Sequence, residues 1–229
     1  MELKERQSMD NTANISSSSS TKMLIAMVGI GVICGLLIVS TYEGTLPRVK
    51  RLKAEALQQA VFNVVPGVES TKSFAWNGTG FEEAAETSTE VVYAGYDVNG
   101  QFKGVALNGA GQGYADIISI LYGYDPYNQH VVGFYVLETK ETPGLGDKIE
   151  KDETFLSNFD ALDVSLNEKG ALNNEIAYTK SGEKTNAWEV DGITGATISS
   201  KAIANILKES TAIWVPRIYA NIQFFEENK

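Results

Sequence analysis

The chain has 229 residues, of which 43% are hydrophobic, so it is long enough to bury one sizeable core. Its formal net charge is −10, and an acidic surface does not neutralise phosphates, which argues against a nucleic-acid partner. The single histidine, His130, falls in a predicted turn, which excludes a zinc cluster or a histidine-dependent catalytic triad. The single cysteine, Cys34, excludes an intramolecular disulfide.

Residues 1–22 carry balanced charges and a run of five serines, which predicts a flexible tail. Residues 23–41 are uncharged and apolar, and as a helix they would rise about 28 Å, enough to cross a bilayer core of about 30 Å. We therefore expect one transmembrane helix over residues 23–42, retained as a membrane-embedded anchor because no small-residue cleavage signature follows it. Gly31 and Gly35 form a Gly-x-x-x-Gly pair, which is typical of contact with partner membrane helices but also of the high glycine content of such helices.

Three further regions are expected after the anchor. Pro47 can begin a helix with apolar residues at helical spacing, which predicts a linker helix over residues 43–66. The main domain is expected over residues 67–215, followed by a C-terminal tail over residues 216–229. Positive residues lie on both sides of the anchor, so the positive-inside rule does not decide its orientation.

The main domain has mostly strand-like patterns. Strands are predicted over residues 91–98, 102–107, 117–124, 131–138, 176–180 and 187–190, and a short helix over residues 151–159. The first two strands are joined by Asn99-Gly100, which suits a type I′ hairpin turn. Residues 74–89 show no regular pattern. These elements predict an α+β domain, an antiparallel sheet with flanking helices, preceded by the single transmembrane helix.

Residues 109–114, Gly-Ala-Gly-Gln-Gly-Tyr, are rich in glycine and lie between two predicted strands. Their spacing differs from Gly-x-Gly-x-x-Gly, and no clear helical pattern follows them. A dinucleotide-binding loop is therefore not indicated.

The most informative segment is residues 191–200, Asp-Gly-Ile-Thr-Gly-Ala-Thr-Ile-Ser-Ser. Apolar residues at helical spacing begin at Ile198, so Thr197 is expected at or just before a helix N-terminus. Unpaired backbone amides and the helix dipole favour a phosphate there, so the threonine hydroxyl could contact a phosphate ester or become one. Hydroxyl residues before an apolar run are also ordinary N-caps, so the pattern alone leaves a purely structural role open.

A second segment, residues 138–146, reads Glu-Thr-Lys-Glu-Thr-Pro-Gly-Leu-Gly. Pro143 and the two glycines predict a tight backbone path that can approach a flat ring closely. The Thr142 hydroxyl can form hydrogen bonds with such a ring, and Leu145 can cover it. A plain turn after a strand is the alternative.

Together the two segments resemble motifs of the FMN-binding domains found in the G subunit of the Rnf complex and the C subunit of the sodium-pumping NADH:quinone reductase. In that family the second threonine of the Thr-Gly-Ala-Thr core carries FMN through a phosphoester bond, and the resemblance gives this role to Thr197. The cofactor-binding residues that it implies are Thr197, Thr194, Gly195, Ala196, Ser199, Ser200, Asp191, Glu141, Thr142, Leu145, Gly146, Gly113 and Tyr114.

Different parts of this set have different implied roles. Ser199 and Ser200, with the helix amides, hold the phosphate, and Asp191 shapes the turn. The loop from Glu141 to Gly146 lines the ring.

The resemblance also implies a function. It implies a membrane-anchored flavoprotein subunit that relays electrons through covalent FMN within an ion-translocating ferredoxin:NAD oxidoreductase, without catalytic residues or a metal of its own. The implied partners are the other membrane subunits and a flavin transferase, and the domain is placed on the extracytoplasmic side of a bacterial cell membrane. The modest length favours the G subunit over the longer C subunit of the sodium-translocating NADH:quinone reductase. A freestanding extracytoplasmic flavin reductase and a non-redox anchored scaffold remain as alternatives.

Overall fold

The computed structural model describes the backbone of residues 2–85 and 87–229, and the side chains of residues 20–85 and 87–229. The chain divides into two compact units, Met1–Ala54 and Glu55–Lys229. The functional residues predicted from the sequence all lie in the second unit.

Helix α1 extends over Glu2–Val64 and contains Pro47 in its interior, so the predicted anchor and linker helices are one continuous helix. Its segment Ser20–Val64 is the one helix of the described residues that is long and apolar enough to cross a membrane. Residues 2–22 are also helical, which differs from the predicted flexible tail. The physical reason is that residues added to an existing helix need no new nucleus, and no proline interrupts these.

The second unit is built on a seven-stranded sheet with the order β2-β1-β3-β4-β5-β6-β7, in which every neighbouring pair is antiparallel. Its strands are β1 (Ser70–Trp76), β2 (Phe81–Glu83), β3 (Val91–Tyr96), β4 (Phe102–Gln112), β5 (Ile117–Asp125), β6 (His130–Glu138) and β7 (Leu162–Asp163). The predicted α+β architecture, an antiparallel sheet with flanking helices, is confirmed.

Helices cover both faces of this sheet. On one face, Val61 and Val64 at the end of α1 are buried in a cluster with Leu121 of β5. The other face is covered by α3 (Thr197–Ala220) and α4 (Ile222–Glu227), and Ile203 of α3 is buried in one cluster with Tyr122 of β5. Neighbouring side chains of β5, such as Leu121 and Tyr122, thus belong to two separate cores on opposite faces of the sheet.

Two predictions near the edge of the sheet are wrong. Residues 74–89 are not wholly irregular, because they contain the end of β1 and the whole of β2. Residues 216–229 are not a tail but the end of α3 followed by α4. The two errors have one cause: Phe225 is fully buried and its ring centroid lies 5.7 Å from that of Phe74 and 4.8 Å from that of Phe81. These aromatic contacts join distant parts of the chain and leave no local pattern.

Strand β4 is longer than predicted because Gly109 and Gly111 belong to it and not to a loop. A Cβ atom on these glycines would lie 2.7 Å and 2.6 Å from side-chain atoms of Ile206 in α3. The glycines are therefore explained by the close packing of α3 on the strand.

The residues that lead to α3 form a small separate sheet. β8 (Ala177–Thr179) and β9 (Glu189–Asp191) pair in parallel, so they do not join the antiparallel sheet. The helix predicted over residues 151–159 is a short α2 (Glu153–Leu156) followed by a 3₁₀ turn, Ser157–Phe159. Since β9 ends at Asp191, this small sheet positions the segment 191–200.

Candidate functional site

Thr197 is the first residue of α3, and its side chain is exposed. The N-cap residue is Ala196, with φ −125° and ψ 34°, and no side chain forms a cap hydrogen bond at this helix end. Gly195 precedes it with φ +86°, a left-handed conformation that glycine adopts without strain. The capping role that the pattern left open is therefore not what Thr197 does, and the first backbone amides of α3 remain available to a ligand.

The strand that delivers this turn is held by the buried side chain of Asn158. Its Nδ2 donates to the carbonyl oxygen of Asp191 at 3.1 Å and to that of Phe155 at 2.9 Å, and its Oδ1 accepts from the Asp191 amide at 2.9 Å. Lys184 Nζ also donates to Oδ1, at 3.1 Å, and burial lowers the pKa of this ammonium although the Asp191 carboxylate acts in the opposite direction. Asn158 thus fixes both backbone groups of Asp191. Nothing local in the sequence marks this residue, so its role is visible only in the fold.

Four residues that were predicted to bind the cofactor do not line the cleft beside Thr197, and three of them, Asp191, Ser200 and Thr194, lie close to Thr197 in the sequence. The Asp191 carboxylate accepts from the Gly182 amide at 2.9 Å and 3.0 Å, so it holds the loop between β8 and β9 and not the turn before α3 that it was predicted to shape. The buried Ser200 hydroxyl accepts from the Ile193 amide at 3.1 Å and donates to the Ala196 carbonyl oxygen at 2.9 Å, so it braces the turn from inside. Thr194 is exposed on a different cleft, which it shares with Asp191.

A cleft of about 310 Å³ lies beside Thr197. Its lining residues are Tyr114, Glu141, Thr142, Leu145, Gly146, Gly195, Ala196, Thr197, Ile198 and Ser199. The fold therefore brings together the end of β4, the loop after β6 and the start of α3. Ile198, expected only as an apolar helix position, is 54% exposed at this cleft.

The residues that line the cleft offer two kinds of surface, one polar and one apolar. The start of α3 offers the Thr197 hydroxyl and free backbone amides, whereas Tyr114 (66% exposed) and Leu145 (52% exposed) offer apolar surface. The volume is at the lower end of the range for small-molecule sites, about 300–1,000 Å³. These residues therefore fit a flat aromatic group that carries a phosphate.

Glu141 is the buried charged residue of the cleft, with 5% exposure. Its carboxylate accepts hydrogen bonds from the Ala115 amide at 2.9 Å and from the Ser199 hydroxyl. Gly113, predicted to bind the cofactor, does not line the cleft but lies against this carboxylate.

Two ion pairs lie in the chain segments that lead into and out of the cleft residues. Lys140 binds Asp116, and its hydrogen bond lowers the pKa of that carboxyl, while Lys151 lies 2.7 Å from Asp147. Exposed pairs contribute little to stability.

Size alone does not identify the site. A larger cleft of about 580 Å³ lies at the hairpin turns beside the C-terminus, and it contains none of the predicted residues. Within the described residues, no group of three or more histidine, cysteine, aspartate or glutamate side chains could hold a metal ion.

Comparison with known proteins agrees with the site geometry. The FMN-binding domain family matches residues 113–212, which include both the loop after β6 and the start of α3. In fold, the chain is similar to NqrC of Shewanella oneidensis, with a TM-score of 0.48 and 21% identity, covering 74% of this chain and 71% of that one. It is also similar to the C subunit of the Na(+)-translocating NADH-quinone reductase from Parabacteroides distasonis, with a TM-score of 0.49 and 22% identity over 69% of this chain and 78% of that one.

Sequence relatives are more informative. The G subunit of the ion-translocating oxidoreductase complex from Haemophilus influenzae (strain PittEE) is 39% identical over 105 residues, 45% of this chain and 46% of the relative. The G subunit from Methanosarcina acetivorans is 30% identical over 192 residues, which cover 83% of this chain and 92% of the relative. Because that match spans most of both chains, this protein belongs to the family of G subunits of ion-translocating oxidoreductase complexes and contains an FMN-binding domain.

Proposed function

We propose that the chain is the membrane-anchored flavoprotein subunit of an ion-translocating ferredoxin:NAD oxidoreductase (Rnf) complex, and that it relays electrons through FMN attached covalently to Thr197. The observation that carries this proposal is the exposed Thr197 hydroxyl at an uncapped helix N-terminus, in a cleft of the FMN-binding domain. When bound, FMN supplies the electron chemistry, and the protein binds and orients it.

The start of α3 is suited to hold the phosphate end. The first amides of a helix have no acceptor within the helix, and the helix dipole is positive at this end. A phosphate esterified to Thr197 would lie beside these amides. The exposed left-handed turn at Gly195 leaves the hydroxyl accessible to a flavin transferase.

The apolar residues that line the cleft are suited to the ring. Tyr114, Leu145 and Ile198 present apolar surface that would cover a flat ring and shield it from water. The Thr142 hydroxyl and the backbone of the loop provide hydrogen-bonding groups for the polar atoms of the ring.

Helix α1 provides the anchor to the membrane, where the other subunits of the complex would be the partners. We place the FMN-binding domain on the extracytoplasmic side, where a covalent bond prevents the cofactor from diffusing away. Labelling intact cells with an impermeant lysine reagent tests this orientation. Exposed lysines of the domain, such as Lys201, should be labelled before lysis, and labelling only after lysis would contradict the orientation.

The attachment is tested by co-expressing the full chain with a flavin transferase and measuring its intact mass and in-gel flavin fluorescence. The unmodified sequence should gain the mass of one esterified FMN. Thr197→Ala should lose this gain completely, whereas Thr194→Ala, the matched exposed threonine in the same segment, should keep it. If the unmodified sequence gains no mass while the transferase modifies a control protein, the proposal is wrong.

A further inference from the structure

We propose that Glu141 is a positioning residue that ties the three walls of the cleft together and holds a fixed negative charge beside it. The family resemblance implies that Glu141 lines the flavin ring. The structure gives its carboxylate other partners. The redox part of this proposal depends on the proposed function, while the positioning part does not.

The Glu141 carboxylate connects segments that are far apart in the chain. One oxygen, Oε1, accepts from the Ala115 amide at 2.9 Å, in the turn between β4 and β5. The other, Oε2, accepts from the hydroxyl of Ser199 in the first turn of α3. Since Glu141 itself belongs to the loop after β6, one side chain joins the three elements that form the cleft.

The surrounding backbone leaves space for this carboxylate only. A Cβ atom on Gly113 would lie 2.5 Å from Oε1, and one on Gly146 would lie 2.5 Å from Oε2. Both distances are shorter than any normal van der Waals contact, so a side chain at either position would displace the carboxylate. The close approach of the carboxylate therefore accounts for glycine at both positions.

The Glu141 carboxylate has hydrogen-bond donors as partners but no cation among the described residues. Its side chain is buried, and none of the ion pairs between described residues includes it. Its partner Ser199 lies in the first turn of α3, where the helix dipole is positive and favours a nearby anion. A buried negative charge beside the cleft disfavours the addition of electrons to a group bound there, because like charges interact strongly where water is excluded.

Geometry and charge can be separated by substitution. Glu141→Gln keeps an acceptor for the Ala115 amide and a donor to Ser199, but it removes the charge. Glu141→Ala removes both, and Ser199→Ala removes one bond and keeps the charge. Glu153→Gln is the matched control, since it removes one negative charge from an exposed side chain.

The first measurement is the hydrogen-exchange rate of the Ala115 amide in the full chain without cofactor. We expect exchange to be about tenfold faster in Glu141→Ala, since the amide loses its acceptor, and near the unmodified rate in Glu141→Gln and Glu153→Gln. An unchanged rate in Glu141→Ala would overturn the positioning role. If Glu141→Ala does not fold, Ser199→Ala decides the question, and faster exchange at Ala115 is again the expected result.

The second measurement is the midpoint potential of FMN attached to each variant. We expect a positive shift in Glu141→Gln, where the geometry is kept and the charge is lost, and no shift in Glu153→Gln. Equal potentials in Glu141→Gln and the unmodified sequence would overturn the electrostatic role. The intact mass of the same samples separates the two proposals. Absence of FMN from the unmodified sequence would reject the proposed function, whereas a normal FMN content with unchanged Ala115 exchange would reject the role of Glu141.

Discussion

Residues 191–200 contain two groups of residues, one held by hydrogen bonds and one exposed to solvent. The members of the two groups are interspersed along the ten positions. Asp191, Ile193 and Ser200 form the base of the segment, and their backbone or hydroxyl groups are held by hydrogen bonds. Thr194, Gly195 and Thr197 are exposed. The hydroxyl proposed to carry FMN is therefore presented by a hydrogen-bonded base. A site that must hold a bound group in one orientation needs such support.

The largest expected effect is on the base, in Asn158→Ala. This change leaves the amide and the carbonyl of Asp191 without their partner, and each unsatisfied buried group costs about 1–3 kcal/mol. We expect the free energy of unfolding of the full chain to fall by about 3 kcal/mol. Urea unfolding followed by tryptophan fluorescence measures it, with exposed Asn173→Ala as a control that should change by less than about 0.5 kcal/mol. Equal effects of the two changes would contradict the role of Asn158.

Ser200→Ala distinguishes a structural role of Ser200 in the base from a direct contact with the cofactor. The change leaves the Ile193 amide without an acceptor, so we expect a loss of about 1–2 kcal/mol in the free energy of unfolding, with FMN attachment retained. Exposed Ser181→Ala is the matched control and should be neutral. Loss of attached FMN without loss of stability would show instead that Ser200 contacts the cofactor.

Gly195→Ala tests the backbone conformation of the exposed group. An added Cβ would meet no atom within 4 Å, so the left-handed φ of +86° is the only source of strain. We expect a loss of about 1 kcal/mol. Gly80→Ala, which also meets no atom within 4 Å and has no positive φ, should change the unfolding free energy by less than about 0.5 kcal/mol. An equally neutral Gly195→Ala would mean that the turn is not held in this conformation.

The smallest expected effect is a pH dependence in the stability of the loop that leads into β9. Hydrogen bonds from the Thr185 amide, and then from Asn186, lower the pKa of Glu189 to about 2 from its ordinary value of 4.5. Because the folded state holds the proton less tightly, the carboxylate stabilises this loop fully above about pH 4.5, and the contribution is lost as the pH falls towards 2. Amide exchange of Thr185 and Asn186, corrected for intrinsic rates, should therefore accelerate over this range in the unmodified sequence, whereas Glu189→Gln should show no such dependence. The same pH dependence in both proteins would contradict the assignment.

The sequence predicts those elements whose signals are local. The apolar run after residue 22 predicts a helix long enough to cross a membrane, and Asn99-Gly100 predicts the hairpin of β3 and β4, both of which the structure confirms. The predicted type I′ turn is wrong, because that turn needs a positive φ at both central residues and only Gly100, with φ +72°, has one. The position of Thr197 at the start of α3 follows from the spacing of the apolar residues after it, and is also confirmed.

What the sequence does not predict depends on contacts between distant residues. Asn158 holds Asp191 across 33 positions, and Glu141 binds Ser199 across 58. Neither contact leaves a periodic pattern. For the same reason Ser200, which the resemblance groups with the cofactor-binding residues, turns out to brace the turn. A motif can identify the segment, but only the fold separates its exposed residues from its buried ones.

The most direct test of the central claim is to locate the flavin by fragmentation mass spectrometry. Trypsin releases residues 185–201 as one peptide, which contains Thr194, Thr197, Ser199 and Ser200. For protein co-expressed with a flavin transferase, we predict the mass of esterified FMN on Thr197 alone. FMN on Thr194 or on a serine of this peptide, or an unmodified peptide from a chain that has gained FMN elsewhere, would contradict the account.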